Sequence, residues 1–538
     1  MRLILKAFPL DRSGMPLLRK ILAGERSNKS VDALMQHVAS LGATYAVLED
    51  PYTDRDYSSD YQNFYAGAFK DYPRETKRLH LFAEDVSHIL ETDLAEQDKA
   101  FSEASYLGFI VVRPIPQGPI GRTVLKFPSL GAGLSVRPAA RAEFKTNLIA
   151  AELSVKGAPF IQQEARVGAC AQAAIWMASL AVQTRHRRTA WHSMADITRL
   201  AGTPTDASLS TALPAGSGGL NPMHMIRALR GMGHQPLFDL FRDEDSKPVP
   251  GPTAASIVMR YLDSGLPVIL TMHCIQHAIT AVGYVETTGG ALREDQTYDA
   301  FVRALVVHDD QRGPYRLMPL TGEDIDALPR DRLLMEDGKV LTVEDLSHMF
   351  VPLPPRVFLR ADRADTVAGD FLSRQREKLA KTYSELLAET PAAAARLAAF
   401  FDLVREDRLI RRTYLTTAAR YRHHLAKNNL SDELKVQLLS RTLPHFIWVT
   451  ELLDADAAQQ SEHGPRPILG HIVTNATSSS DPSSDLIMAH LPHVVVHRDP
   501  DGQAGAWPES VEFPDMEEDE EAVLISEDAP YLSRIRRF

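Results

Sequence analysis

The pattern of apolar and polar positions divides the chain into three stretches. In the first, residues 1–150, short runs rich in β-branched and aromatic residues predict strands at Arg2–Phe8, Thr44–Leu48, Tyr106–Pro114 and Gly121–Pro128. The last two flank a turn-rich segment, Ile115–Gly121. Ser30–Gly42 combines an N-cap serine, helical apolar spacing and a terminating glycine, so a helix is predicted there. Asp50–Tyr72, crowded with tyrosine and aspartate, reads as a solvated surface loop. This stretch is expected to be an N-terminal α/β region with no catalytic signature.

Residues 151–345 alternate helical and strand patterns. A helix is predicted from Ala169 onward, with one apolar face, and strands at Leu266–Cys274, His277–Tyr284 and Arg303–Asp309. In residues 346–538, Val351–Leu359 reads as a linker feeding a strand. Arg374–Arg405 and Asp407–Lys427 are rich in Ala, Leu, Glu, Lys and Arg and predict long amphipathic helices. Short strands follow at His445–Leu453, Ile468–Thr474 and His493–His497. An acidic run, Glu517–Glu521, and a basic tail, Arg534–Phe538, read as solvated charge.

Composition narrows the class. Hydrophobic residues make up 44% of the chain and charged residues 24%, the balance of a folded globular protein. A formal net charge of -11 argues against nucleic acid as a partner, because phosphates require a basic face. Arg185–Arg188 is the densest basic cluster and is expected to complement the C-terminal end of the Ala169 helix. The N-terminal apolar run is too short for a signal peptide, and no stretch reaches the roughly 20 apolar residues that span a bilayer. With only Cys170 and Cys274, a disulfide scaffold is not expected and a reducing, cytoplasmic setting is favoured.

Cys170 carries the candidate chemistry. Gly168 supplies a flexible turn, and the thiol falls in the first turn of the helix. Unpaired backbone N–H groups and the positive dipole end favour a thiolate there, the nucleophilic form. Such a nucleophile needs a base and a group to orient that base. His277 opens a strand and can point into a cleft at the sheet edge. The next strand ends in Asp309 and Asp310, either of which could accept the imidazole N–H. His273, Cys274, His277, His308, Asp309 and Asp310 are also metal-ligand types. Cys274-x-x-His277 lacks a matching second pair, however, so no metal or cofactor is expected.

Five stretches resemble papain-like cysteine peptidases, and more closely the bacterial C39-like branch of that fold, over about residues 155–320. They are Gln163–Ala174, Gly219–Gly233, Tyr261–Ile269, His277–Tyr284 and Val307–Tyr315. The resemblance implies an α+β fold in which the cysteine helix packs on an antiparallel sheet carrying the histidine and aspartate. It implies Cys170 as nucleophile, His277 as general base and then acid, and Asp309, or alternatively Asp310, as orienter. The family's oxyanion glutamine stands six residues before the cysteine, where this chain has Glu164. A carboxylate there would repel a developing oxyanion, so Gln163 is expected to serve, with Gln162 as the alternative. The implied activity is cleavage of a peptide or amide bond, in a protein or peptide substrate chosen by the N- or C-terminal region. The same triad also runs acyl transfer and deamidation, and a papain-like domain without activity would bind peptides.

Overall fold

In the computed structural model the N-terminal strands pair antiparallel throughout. β1 (Ile4–Pro9), β2 (Tyr45–Tyr52), β3 (Thr76–Phe82), β4 (Tyr106–Val112), β5 (Ile120–Lys126), β7 (Ala142–Leu148) and β8 (Ala151–Phe160) form a seven-stranded sheet in the order β1-β2-β3-β4-β5-β8-β7. β6 (Leu134–Pro138) joins a second sheet instead. The expected α/β region is therefore corrected to an α+β arrangement, since antiparallel neighbours need no helical crossover. The structure describes residues 3–131, 133–163, 170–186, 190–202, 220–243, 247–272, 274–287, 297–386, 391–427, 432–460, 468–478, 485–497 and 510–512. Glu164, Gly168, Ala169, Arg187, Arg188, Gly219, His273 and both C-terminal charge clusters lie outside these.

Four helices accompany this sheet: α1 (Gly14–Ala23), α2 (Lys29–Ser40), α3 (Arg55–Asn63) and α4 (Leu94–Glu103). The N-cap of α2 is Asn28, whose side chain accepts from the Val31 N–H at 3.1 Å; Ser30, expected in that role, is buried inside the helix. The loop expected at Asp50–Tyr72 is largely helical. Asp54 caps α3 through the Tyr57 N–H, and Tyr57, Tyr65 and Tyr72 are buried. A tyrosine can bury its ring when its hydroxyl finds a partner, and Tyr57 donates to the Pro73 carbonyl at 2.7 Å.

The second sheet contains β9 (Gln235–Leu240), β10 (Val268–Met272), β11 (His277–Thr287), β12 (Val302–Asp309), β13 (Gly313–Pro319) and β16 (Leu346–Leu353), in the order β13-β12-β11-β10-β16-β9, with β6 paired to β11. A two-stranded ribbon, β14 (Met335–Glu336) with β15 (Lys339–Val340), stands beside it in sequence. Val351, expected in a linker ahead of a strand, instead lies within β16, which continues through Pro352 and ends at Leu353, before Pro354 and Pro355.

α5 (Cys170–His186) packs against β7 and β8 of the first sheet and β10 and β16 of the second. Only one apolar face was expected, yet consecutive residues Ala173–Ala178 are buried. A helix covered on all sides becomes apolar all round. One hydrophobic core runs through both sheets, from Phe8 to Phe350.

Contacts divide the chain into two compact units. One comprises Met1–Val249, Leu266–Val285 and Arg303–Leu353; the other comprises Pro250–Gly265, Glu286–Val302 and Pro354–Phe538. The expected boundary at residue 150 is not a structural division, because β8 begins at Ala151 and pairs with β5 and β7.

The second unit is built on a six-stranded antiparallel sheet in sequence order: β17 (Leu409–Thr417), β18 (Phe446–Asp454), β19 (Gly470–Asn475), β20 (Leu486–Leu491), β21 (Val494–His497) and β22 (Ser510–Glu512). Phe371, Phe400 and Phe401, from the helices Ala361–Leu386 and Pro391–Arg405, share its core with Leu452, Ile472 and Ala489. The helix expected over Asp407–Lys427 is corrected: its first half is β17, and only Ala418–Lys427 is helical. Ile410, Thr413, Tyr414, Thr416 and Thr417 suit a pleated surface, and β18 supplies the ladder. Among the described residues no helix is long and apolar enough to cross a membrane.

Candidate active site

Cys170 is the first residue of α5 and is half-buried. Behind it, the buried helix is anchored to the first sheet's helices. The indole N–H groups of Trp176 and Trp191 both donate to Asp56 Oδ1, at 3.1 and 3.0 Å. Burial, and then the neighbouring Asp54, push the Asp56 carboxyl up to about 6. Thr280 on β11 donates to the Ala174 carbonyl at 3.2 Å, tying the helix to the strand that His277 opens.

His277 is the first residue of β11 and is 5% exposed. It pairs with Met272 across a connection in which Gln276 takes a left-handed φ of 46°. Nε2 of His277 lies 3.0 Å from Asp309 Oδ1, and Gln311 Nε2 lies 3.5 Å from Nδ1. Burial alone would lower the pKa of the ring. The Asp309 carboxylate outweighs that, aided by the Cys170 side chain, and holds the imidazolium well above the usual histidine range.

Asp309 ends β12 and is fully buried. Its Oδ1 accepts from the backbone N–H groups of Gln311 and Arg312, at 2.8 and 3.0 Å, as well as from His277. Its Oδ2 accepts from Arg312 Nη1 at 2.8 Å. Burial opposes ionisation, but the imidazolium, the guanidinium and these N–H groups together hold the carboxyl well below the ordinary range. Arg312 is itself clamped, donating from Nε to the Met335 carbonyl and to Glu336 Oε2.

The turn that presents Asp309 is fixed from outside. Gly313 pairs with Asp309 across the β12–β13 hairpin at a φ of 105°, and a Cβ there would stand 2.5 Å from that of Ala33. The Tyr315 hydroxyl donates to the Leu125 carbonyl at 2.6 Å and accepts from the Ala158 N–H at 3.2 Å, joining β13 to the first sheet. His308 Nδ1 lies 3.2 Å from the Pro159 carbonyl, and its ring meets Tyr315 edge-on. His308 is thus a structural residue.

Asp310 is also fully buried. Its Oδ1 lies 3.6 Å from His277 Nε2, beyond hydrogen-bonding distance, so Asp309 is the partner of the ring. Gln163 follows β8 and holds a buried Oε1 with no hydrogen-bond partner among the described residues. The alternative, Gln162, is engaged elsewhere: its Nε2 donates to Asn28 Oδ1 at 3.0 Å, its Oε1 accepts from the Ile120 N–H, and its carbonyl accepts from Arg113.

One ligand atom from each of His277, Asp309 and Asp310 falls within a 4.8 Å cluster, a spacing that could hold a metal ion. Asp309 fits this poorly, because both of its oxygens already accept hydrogen bonds, two of them from the cationic Arg312 and His277 side chains. Cys274, expected as a buried structural thiol, is instead exposed and free.

Sequence reasoning found Cys170, His277 and the Asp309–Asp310 pair, and the structure gathers these residues. It missed Gln311, Arg312 and Glu336. The first two sit in the Gln311–Tyr315 turn, where an arginine three residues after a buried aspartate is a readable signal; Glu336 arrives from a distant ribbon and leaves none. Comparison with protein-family models, curated proteins and solved structures found no match to this chain.

Proposed function

We propose that this protein is a cysteine peptidase of papain-like design, cleaving a peptide or amide bond through Cys170, His277 and Asp309. The observation that carries the reading is the buried His277–Asp309 pair at 3.0 Å, with the Cys170 thiol, at a helix start, among the groups that raise the ring's pKa. Asp309 fixes the tautomer with Nε2 protonated, which leaves Nδ1 as the acceptor for the thiol proton.

The chemistry follows from these positions. Nδ1 takes the Cys170 proton, and the thiolate attacks the substrate carbonyl carbon, forming the S–C bond as the carbonyl electron pair moves to oxygen. Gln163 Nε2 and the Cys170 backbone N–H hold that oxyanion. Collapse breaks the C–N bond, and the imidazolium gives its proton to the departing amine. Water then adds to the thioester with His277 taking its proton, and loss of the thiolate releases the acid. General base and acid roles of this kind contribute about 10²–10⁴-fold each.

Intact-protein mass spectrometry after iodoacetamide tests the reading. Cys170 should alkylate faster than Cys274 and faster than a denatured control, and His277→Ala should abolish the difference. Equal rates in native and denatured protein would refute it. Substrates trapped on Cys170→Ala and treated with active enzyme should yield fragments; adducts would indicate acyl transfer, and a shift of about one mass unit deamidation.

A further inference from the structure

Asp310 has no role in the mechanism above, yet its environment is unusual for a carboxyl group. It is completely buried, and neither oxygen has a hydrogen-bond partner from another residue among the described residues. An ionised carboxylate left so bare would be costly, and buried charges are normally paired. His277 Nε2 lies 3.6 Å from its Oδ1, on the side where Asp309 already accepts the ring N–H. Two carboxyls therefore flank one imidazole nitrogen, one saturated with donors and one bare.

We propose that Asp310 is a second positioning carboxyl for His277, neutral when the site is at rest and ionised on the alkaline side, where its charge joins Asp309 in keeping the ring protonated. This rests on the peptidase reading of the same site. The charged groups that bear on Asp310 are His277 from β11, Asp309 beside it on β12 and Arg312 from the following turn. Burial acts most strongly to keep the proton on. The adjacent Asp309 charge adds to that, His277 and Arg312 oppose it, and the carboxyl is pushed up to about 7. Below neutrality the bare oxygens are thus those of a neutral acid, which burial tolerates. Above it a full negative charge appears beside a ring already held as imidazolium, extending the pH range over which a proton is available for the leaving amine.

The test is the pH dependence of Cys170 alkylation by iodoacetamide in the full chain, comparing wild type with Asp310→Asn. An amide resembles a neutral carboxyl, so the two should react alike at pH 5.5 and diverge above pH 7. The upper inflection, where the ring loses its proton, should fall by about one unit or more in the variant. Curves that superimpose at every pH, or that differ by a constant factor, would overturn the proposal. So would a stoichiometric divalent ion in the wild type that is lost from the variant, since the oxygens would then belong to an ion. If Asp310→Asn does not fold, ring-labelled His277 in the unaltered chain should sense a step near neutrality while still protonated, and a featureless titration there refutes the idea. Failure of the peptidase reading is distinguishable, because Cys170 in the wild type would then show no enhanced alkylation at any pH.

Discussion

Removing Arg312 should weaken the fold in a manner that acid relieves. Arg312, whose side chain is 9% exposed, contributes two of the four donors to Asp309, its Nη1 at 2.8 Å and its backbone N–H at 3.0 Å. Arg312→Ala deletes only the side-chain donor and leaves Asp309 buried with its charge less compensated. Breaking a buried pair from one side costs about 3–5 kcal/mol, and three surviving donors place this case near 3 kcal/mol. Glu336, the other partner, is 27% exposed and can turn to water, so Glu336→Gln should cost under about 1 kcal/mol. By calorimetry on the full chain, Arg312→Ala should lower the transition of this unit by roughly 6 °C at pH 7, at about 2 °C per kcal/mol.

The pH dependence identifies the cause. Asp309 is held below its ordinary value, so its ionised form stabilises the fold above the unfolded carboxyl's pKa and is lost only as acid reaches the folded value. Without Arg312 the folded value rises, and the variant protonates sooner. Below that point the gap between variant and wild type should narrow by roughly 1.4 kcal/mol per pH unit. Other titrating groups are common to both proteins and cancel in the difference. A gap that stays constant from pH 7 down to pH 2 would refute the reasoning and reduce Arg312 to a packing residue.

Three further outcomes are expected. Gly313→Ala forces a Cβ to 2.5 Å from Ala33 at a φ of 105°, and should cost about 2 kcal/mol or more while slowing Cys170 alkylation; an unchanged melting temperature would count against it. Tyr315→Phe leaves the buried Leu125 carbonyl and Ala158 N–H without their partner and should cost about 2 kcal/mol, read by the same calorimetry. Burial pulls both His37 and His308 down to about 3, so they stay neutral in the fold while the unfolded chain binds protons below about 6.5. Each should remove roughly 1.4 kcal/mol of stability per pH unit from there toward pH 3, and His308→Gln should flatten that slope by one proton.

Much of the candidate site was legible before any coordinate. Its residues announce themselves through local chemistry: a thiol where a helix begins, a histidine where a strand begins, carboxylates where the next strand ends. Element type followed wherever the apolar period was unambiguous, as in β11, β12 and the helical stretch expected from Arg374, although that helix begins thirteen residues earlier, at Ala361. It failed where composition and packing disagree. Leu409–Thr417 carries helix-compatible arginines and leucines, yet β18 gives its β-branched and aromatic residues a ladder. Asp54, Asp56 and the tyrosines around them look solvated in a one-dimensional reading because their partners, Arg122, Trp176 and Trp191, lie far along the chain.

The sequence by itself determined which residue types could do chemistry and which elements would carry them, since backbone propensity and apolar spacing are local properties. Only the tertiary structure decided which carboxylate faces the imidazole N–H. Successive strand residues point to opposite sides, and a turn can swing either one inward. Donors within the Asp309–Gly313 turn, including the Arg312 side chain, fix Asp309 against His277 and leave Asp310 bare beside it. Tertiary contacts likewise withdrew Gln162 into bonds with Asn28 and Ile120 and supplied Glu336 to hold Arg312. Buried charge is stable only when compensated in three dimensions, and that compensation has no signature in linear order.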